Sequence, residues 1–236
     1  MIFQTQIKGS GGGSAPAHYV EKTVDGNGKL VNKTTTVIDL TGVTDVGDWA
    51  LAYAYYNDTL LTGSVDLSSL TDISGESACQ RAFSATGIIS VDLSGLTTIS
   101  GMNACLEMFS ECSALISIDL SSLVEIYEYA CQSMFDYCDL LASVNLSSLS
   151  VIGSGACNYM FSGCTSLTSL SFPALTTTSF GSYTDQFMGM CEGISGITLH
   201  FPSNLQSVIE GLDGYSETEP FGAISGTVLF DLPETE

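Results

Sequence analysis

One phrase, V/I-D-L-S-x-L, returns along this chain at an almost fixed interval, and that repetition limits the fold more than any other property. It stands at Val65-Asp66-Leu67, Val91-Asp92-Leu93 and Ile118-Asp119-Leu120, and with asparagine at Val144-Asn145-Leu146. Weaker copies flank these at Ile38-Asp39-Leu40, Leu170-Ser171-Phe172 and Ile197-Thr198-Leu199. Measured at the middle residue, the intervals are 27, 26, 27, 26, 26 and 27 residues. A period of that length marks an array of small units, each of which buries its apolar face only by stacking on its neighbours.

Within a unit the hydrophobic period changes. In Leu115-Ile116-Ser117-Ile118-Asp119-Leu120-Ser121, Ile118 and Leu120 alternate with polar residues, the two-residue period of a strand with one buried face. Ala130-Cys131-Gln132-Ser133-Met134-Phe135-Asp136-Tyr137-Cys138 follows, with apolar positions at i, i+1, i+4, i+5 and i+8, which predicts one face of a helical segment. The same face recurs at Ala104, Cys105, Met108, Phe109, Cys112 and at Ala156, Cys157, Met160, Phe161, Cys164. Ala78, Cys79, Ala82, Phe83 is a partial copy, and Phe187 with Cys191 a degraded one. The expected fold is an α/β solenoid of about seven units, roughly 34 Å long at about 4.8 Å per strand.

The strand portion resembles leucine-rich repeats, with Leu115, Ile118 and Leu120 on the L-x-x-L-x-L frame and Leu123 where the common form has Asn or Cys. The full unit resembles the BspA-like class of these repeats, which reads roughly A-F-x-x-C-x-x-L-x-x-I-x-I-P. Phe161-Ser162-Gly163-Cys164-Thr165-Ser166-Leu167-Thr168-Ser169-Leu170 follows that text, and Pro173 and Pro202 hold its proline. The resemblance spans about residues 38–210 and implies a leucine-rich-repeat fold. Such repeats occur in bacterial surface proteins and phage proteins with unrelated ligands, so it implies no single function.

Outside the array the sequence changes character. Gly9 to Ser14 is a Gly/Ser stretch, and Asp25-Gly26-Asn27-Gly28 between two short apolar-polar runs is a hairpin turn signal. Residues 1–37 are therefore expected to form an extended arm and hairpin, 38–210 the solenoid, and 211–236 a C-terminal cap containing the strand-like Thr227-Val228-Leu229-Phe230. Charge divides at the same place. Lys8, Lys22, Lys29 and Lys33 stand against Glu21 and Asp25, giving 4 − 2 = +2 for the first 33 residues. The remainder carries Arg81 against 24 acids, giving 1 − 24 = −23. The lysines are the candidate anchoring residues of the arm. A solenoid so acidic argues against a nucleic-acid partner, which needs clustered Lys and Arg. No window approaches the roughly 18–20 apolar residues of a membrane span, and the opening MIFQTQIKGSGGGS lacks the apolar run of an export signal. The eight cysteines are accordingly expected as thiols.

Candidate chemistry is sparse. Cys105/Cys112, Cys131/Cys138 and Cys157/Cys164 share a C-x6-C spacing, which on a helix separates partners by about 10.5 Å, too far for a disulfide. Across units, Cys79, Cys105, Cys131 and Cys157 form one ladder and Cys112, Cys138, Cys164 and Cys191 another, with cross-unit disulfides conceivable and core-filling thiols the simpler reading. His18 and His200 are the two histidines, and there is no G-x-S-x-G elbow, so no catalytic set is assigned and no enzymatic activity is expected. Trp49, Tyr53, Tyr55 and Tyr56 read as the core of the capping first unit, with an aromatic docking patch beside the basic arm as the alternative. Asp25 to Gly28 lacks the later ligands of a calcium loop, and the sequons at Asn32, Asn57 and Asn145 matter only on an exported chain.

The strands carry the more informative constellation. With Ile118 and Leu120 inward, Ser117, Asp119 and Ser121 face outward, with equivalents at Ser64/Asp66/Ser68, Ser90/Asp92/Ser94 and Ser143/Asn145/Ser147. Asp39, Asp66, Asp92, Asp119 and Asn145 form the candidate binding column, with Ser171 and Thr198 ending the acidic run. Neighbouring carboxylates about 4.8 Å apart repel by about 1 kcal/mol even in water. Such a column suits a calcium ion, sugar hydroxyls or a basic patch, with plain hydration and no ligand the simpler reading. An adhesion-type repeat, a basic arm and no export signal together lead to the expectation of a bacteriophage virion component. It would be a head or tail decoration or fibre protein, held to other virion proteins by its arm and displaying the repeats to a host-surface protein or glycan. Either a symmetric homo-oligomer or ordering of the arm on assembly is expected, with no coiled-coil heptad to fix the number of copies. The alternative is a bacterial cell-surface or secreted adhesin.

Overall fold

The computed structural model describes residues 3–7, 18–24, 30–32, 43–176 and 184–234. Strands β1 (Phe3–Ile7), β2 (His18–Val24) and β3 (Leu30–Asn32) form an antiparallel sheet in the order β1-β2-β3. The pairing Val24↔Leu30 closes a hairpin around the Asp-Gly-Asn-Gly sequence, which itself lies outside the described residues. So do Lys8, Lys29, Lys33, Asp39 and the Gly/Ser stretch, while Lys22 lies in β2.

The repeats build a parallel solenoid with two strand sites per turn. In chain order they are β4 (Thr62–Asp66), β5 (Asp72–Ile73), β6 (Gly87–Asp92), β7 (Thr98–Ile99) and β8 (Ser117–Asp119). There follow β9 (Glu125–Ile126), β10 (Ser143–Asn145), β11 (Val151–Ile152), β12 (Ser169–Ser171), β13 (Ser195–Pro202) and β14 (Ser225–Leu232). The longer strands pair as β4-β6-β8-β10 and β12-β13-β14, and the two-residue strands as β5-β7-β9-β11. Thr227 to Phe230 fall in β14, which adds parallel to β13. Val65, Val91, Ile118, Leu170 and Leu199 point inward with Leu67, Leu93, Leu120 and Leu146, all buried.

The third side of each turn differs from the helix that the apolar spacing predicts. Among the described residues the α-helix is confined to Gln206–Ile209. In the third unit Ala104, Leu106, Met108, Ser110 and Cys112 donate N–H to the carbonyl three residues back, at 3.0–3.2 Å. The alternate residues Cys105, Glu107, Phe109 and Glu111 donate instead to Ala130, Gln132, Met134 and Asp136 of the next turn, at 2.7–3.0 Å. Asn103, Glu107 and Glu111 hold φ of 53–61°. The result is a ribbon of tight turns with a left-handed residue every fourth position, half of whose N–H groups serve the solenoid as a sheet ladder does. Its side-chain period is four, which sends i, i+1, i+4, i+5 and i+8 inward without the drift of a 3.6-residue helix.

Each left-handed non-glycine residue costs about 1–2 kcal/mol, and turn-to-turn bonding offsets that cost. Sequence answers the strain in places with glycine: Gly155, Gly163 and Gly189 take left-handed positions, and a Cβ there would overlap the rings of Tyr129, Tyr137 and Tyr159 respectively. Each tyrosine lies over the bare backbone of the following turn. Ala85, at φ 58°, has no such reason to keep its methyl group. Ala85→Gly is expected to stabilise the protein by about 0.5–1 kcal/mol, the relief of strain exceeding glycine's extra chain entropy. Urea unfolding checks the sign, which is opposite to the usual effect of an introduced glycine.

Inside the ribbon the side chains stack in columns. Tyr55, Phe83, Phe109, Phe135 and Phe161 lie ring on ring, with centroids 5.4–5.7 Å apart and planes within 9° of parallel. Alanines 50, 78, 104, 130 and 156 form a second column, and the thiols two more. Of the aromatic residues expected in the first unit's core, Tyr55 is buried there, whereas Trp49 is half exposed and Tyr56 lies on the surface. Their alternate ribbon positions point outward.

Candidate functional site

The strand face is assembled by register. Asp66 pairs with Asp92, Asp92 with Asp119 and Asp119 with Asn145, so the repeat interval lines these residues up across β4, β6, β8 and β10. All four are exposed. Two residues earlier runs a hydroxyl row, Ser64, Ser90, Ser117 and Ser143, in which Ser64 and Ser90 are joined at 2.8 Å. A shallow depression of about 520 Å³ lies over Asp66, Asp92, Asp119 and their serines.

A local bond fixes the orientation of each acid. Ser68, Ser94 and Ser121 donate backbone N–H to Oδ1 of Asp66, Asp92 and Asp119 at 2.9–3.0 Å, and Ser147 does so to Asn145 at 3.1 Å. These are Asx turns that bend the chain out of the strand. Only Oδ1 is used, which explains why asparagine replaces aspartate in the fourth unit. Oδ2 accepts none of the hydrogen bonds among the described residues. Asp66 also receives the Ser68 hydroxyl at 2.6 Å, and that bond first, then the Ser68 N–H, lowers its pKa below the ordinary aspartate value. Asp92→Asn, which keeps the turn bond and relieves the repulsion from Asp66 and Asp119, is expected to melt at or slightly above the parent, whereas Asp92→Ala, which removes the turn bond, melts about 2–4 °C below Asp92→Asn. A thermal melt of the two variants separates them.

Further along, the alignment departs from the spacing read in the sequence. Ser171 pairs with His200, and Thr198 with Ser169. A longer unit, containing residues outside the described set, shifts the frame by two, so His200 and not Thr198 continues the column. Its Nδ1 lies 2.9 Å from Asp231, giving that end a polar contact with the last strand. The same insertion moves Cys191 out of the thiol ladder assigned to it. Cys157 and Phe161 donate to Gln186 and Met190, which places Phe187 beside Cys157 and Cys191 beside Phe161.

All eight cysteines are free and buried. Cys112, Cys138 and Cys164 donate S–H to the carbonyls of Phe83, Phe109 and Phe135 in the preceding turn, each at 3.1 Å, and the Thr86 hydroxyl donates to the Phe83 carbonyl of its own turn at 2.8 Å. Burial pushes the thiols of Cys157 and Cys191 up to about 12, which is the environment of packing groups rather than nucleophiles. Among the described residues no three His, Cys, Asp or Glu side chains converge to hold a metal ion. The Asp column therefore offers a cation single carboxylates in file, without a cage.

Two features of this surface escaped the sequence pattern. Ile89 and Ile116 are about half exposed and adjacent, Ile116 donating to the Ile89 carbonyl at 3.1 Å, so an apolar pair borders the hydroxyl row. Around the corner Ser74 caps Asp45 at 2.8 and 2.9 Å, and Ser100 approaches Asp72 at 3.2 Å. These pairs recur 28–29 residues apart, a signal present in the sequence but masked by the abundance of serine.

Comparison with known proteins agrees with this architecture. The family model of the BspA type leucine rich repeat region matches in six copies, over residues 51–159 and 77–211, together more than half of the chain. Neither the curated proteins nor the solved structures compared gave a match. No helix among the described residues is long and apolar enough to cross a membrane. With the repeat interval, the parallel strand ladders and this match in agreement, the chain belongs to the BspA-type leucine-rich-repeat family.

Proposed function

We propose that this protein is a non-enzymatic display scaffold whose strand face binds a macromolecular ligand, a protein or glycan on a cell surface. The observation that carries this reading is the in-register exposure of Asp66, Asp92, Asp119 and Asn145 beside a parallel row of serines. Each acid already has its turn bond through Oδ1, so its second oxygen is available for a partner's hydroxyl, ammonium or bound calcium. Rigid strands present these groups at a fixed spacing, which favours a repetitive or extended ligand over a small molecule in a deep pocket.

The finer reading is a bacteriophage virion component, a head or tail decoration or fibre protein. In this reading residues 1–37, with Lys8, Lys22, Lys29 and Lys33, attach the chain to other virion proteins, and the acidic repeats face outward. The concentration of every lysine before Thr34 and the antiparallel pairing of β1–β3, unlike the parallel repeats, support separate roles for the two parts. Immunogold labelling of particles released by lysis tests it. Label on particles, lost when residues 1–37 are deleted, is the expected result; label confined to the bacterial envelope favours an adhesin instead.

A further inference from the structure

Asp136 occupies a place that the neighbouring turns give to serine. The carbonyls of Ser84, Ser110, Asp136 and Ser162 accept the N–H groups of Asn57, Ala85, Glu111 and Tyr137 in successive turns, so the four residues form one column. Ser84, Ser110 and Ser162 are buried. The carboxyl group in their midst has a fully buried Oδ1 with no hydrogen-bond partner.

Among the described residues, the charged groups acting on it are carboxylates. Glu107 and Glu111 face it from the preceding ribbon and Glu192 from the far side, while the thiols of Cys138 and Cys164 stand on its core side. Arg81, the chain's only lysine or arginine beyond Lys33, is held by Glu107 in two bonds of 2.7 and 2.8 Å, and His200 lies against Asp231. Beyond Lys33 no other lysine or arginine is left to balance Asp136.

We propose that Asp136 is a proton-operated lock in the middle of the solenoid: ionised, it loosens the packing between the ribbons that carry Glu111 and Ser162, and protonated, it closes that packing. Burial is the main influence raising its pKa above the ordinary aspartate value; the neighbouring Ser162 hydroxyl opposes it, and Glu107, Glu111 and Glu192 raise it further. The direction follows by linkage. A carboxyl whose folded pKa exceeds its unfolded one contributes stability that is complete below the unfolded pKa and is lost as pH rises through the folded one. At Asp136, therefore, mild acid adds to stability.

Thermal unfolding of the full chain from pH 8 to pH 4 tests the lock with Asp136→Ser, the column's ordinary residue, and Asp136→Asn, which keeps the shape. At pH 7.5 both variants should melt about 2–4 °C above the parent, and the gap should close as the pH approaches 4. A gap that stays constant with pH would assign the effect to packing and overturn the lock, as would a parent that melts higher than both at pH 7.5. Carbon NMR of the Asp136 carboxyl gives a direct reading: a midpoint above the ordinary aspartate range is expected, and one at or below it refutes the proposal.

Discussion

Phe135→Ala should lower the stability of the protein by about 3–5 kcal/mol, among the largest losses a single side chain can cause here. Phe135 is fully buried and stacks on both neighbours, with centroids 5.6 Å from Phe109 and 5.7 Å from Phe161. Alanine removes the transfer free energy of the ring, both stacking contacts of about 0.5–1.5 kcal/mol each, and leaves a void between turns. Because each repeat touches only its neighbours, the cavity also weakens the interface that couples the two halves of the array. Urea unfolding followed by tyrosine fluorescence and by far-ultraviolet circular dichroism should therefore show an earlier and broader transition. Phe135→Leu, which refills part of the space, should recover more than half of the loss. A loss under 1 kcal/mol for the alanine variant contradicts the stacked column.

The second large effect concerns the thiols. At pH 7.5 a thiol whose pKa is about 12, as burial makes those of Cys157 and Cys191, holds about a thousandth of the thiolate of an ordinary cysteine. Burial also blocks the reagent: all eight cysteines are enclosed. Ellman's reagent should find essentially no reactive thiol in the native protein and eight after denaturation. The rate should rise by at least about a thousandfold across the unfolding transition. One or more equivalents reacting promptly in the native state would show that the columns open or that some thiols line a surface.

Much of the fold is legible in the text because one interval governs two kinds of structure. The inward Val65, Val91 and Ile118 and the outward Asp66, Asp92 and Asp119 follow from a two-residue period alone, and the 26–27-residue interval sets their register. The ribbon is harder to read. Ala104, Cys105, Met108, Phe109 and Cys112 satisfy a helix of 3.6 residues and a ribbon of four equally well over so short a length. What separates them is the left-handed backbone at Asn103, Glu107 and Glu111, residues with no consistent signature because the next turn, not the local sequence, compensates their strain. Gly155, Gly163 and Gly189 were the available hint, each following a tyrosine of the preceding turn.

The late frame slip has a similar cause. Thr198 preserves the 27-residue interval from Ser171, yet the strand ladder selects His200 and sets Leu170 beside Leu199; Ile197, the partner in the other frame, is equally buried, so the apolar alternation of the strand does not choose between the two. The acids were legible as a column but not as turn-forming groups. The Oδ1 bonds of Asp66, Asp92 and Asp119 give the column a structural reason that any binding role must be separated from.

That separation is the most direct test of the strand face. Asp66→Asn/Asp92→Asn/Asp119→Asn keeps every Oδ1 acceptor and removes three mutually repelling charges, so its melting temperature should equal or exceed that of the parent. Retention of both proteins on arrays of surface glycans and on intact bacterial cells should then differ by at least about tenfold, a loss of about 1.4 kcal/mol of binding free energy, in favour of the parent. Equal retention of the two proteins, at equal stability, would contradict a binding role for this face.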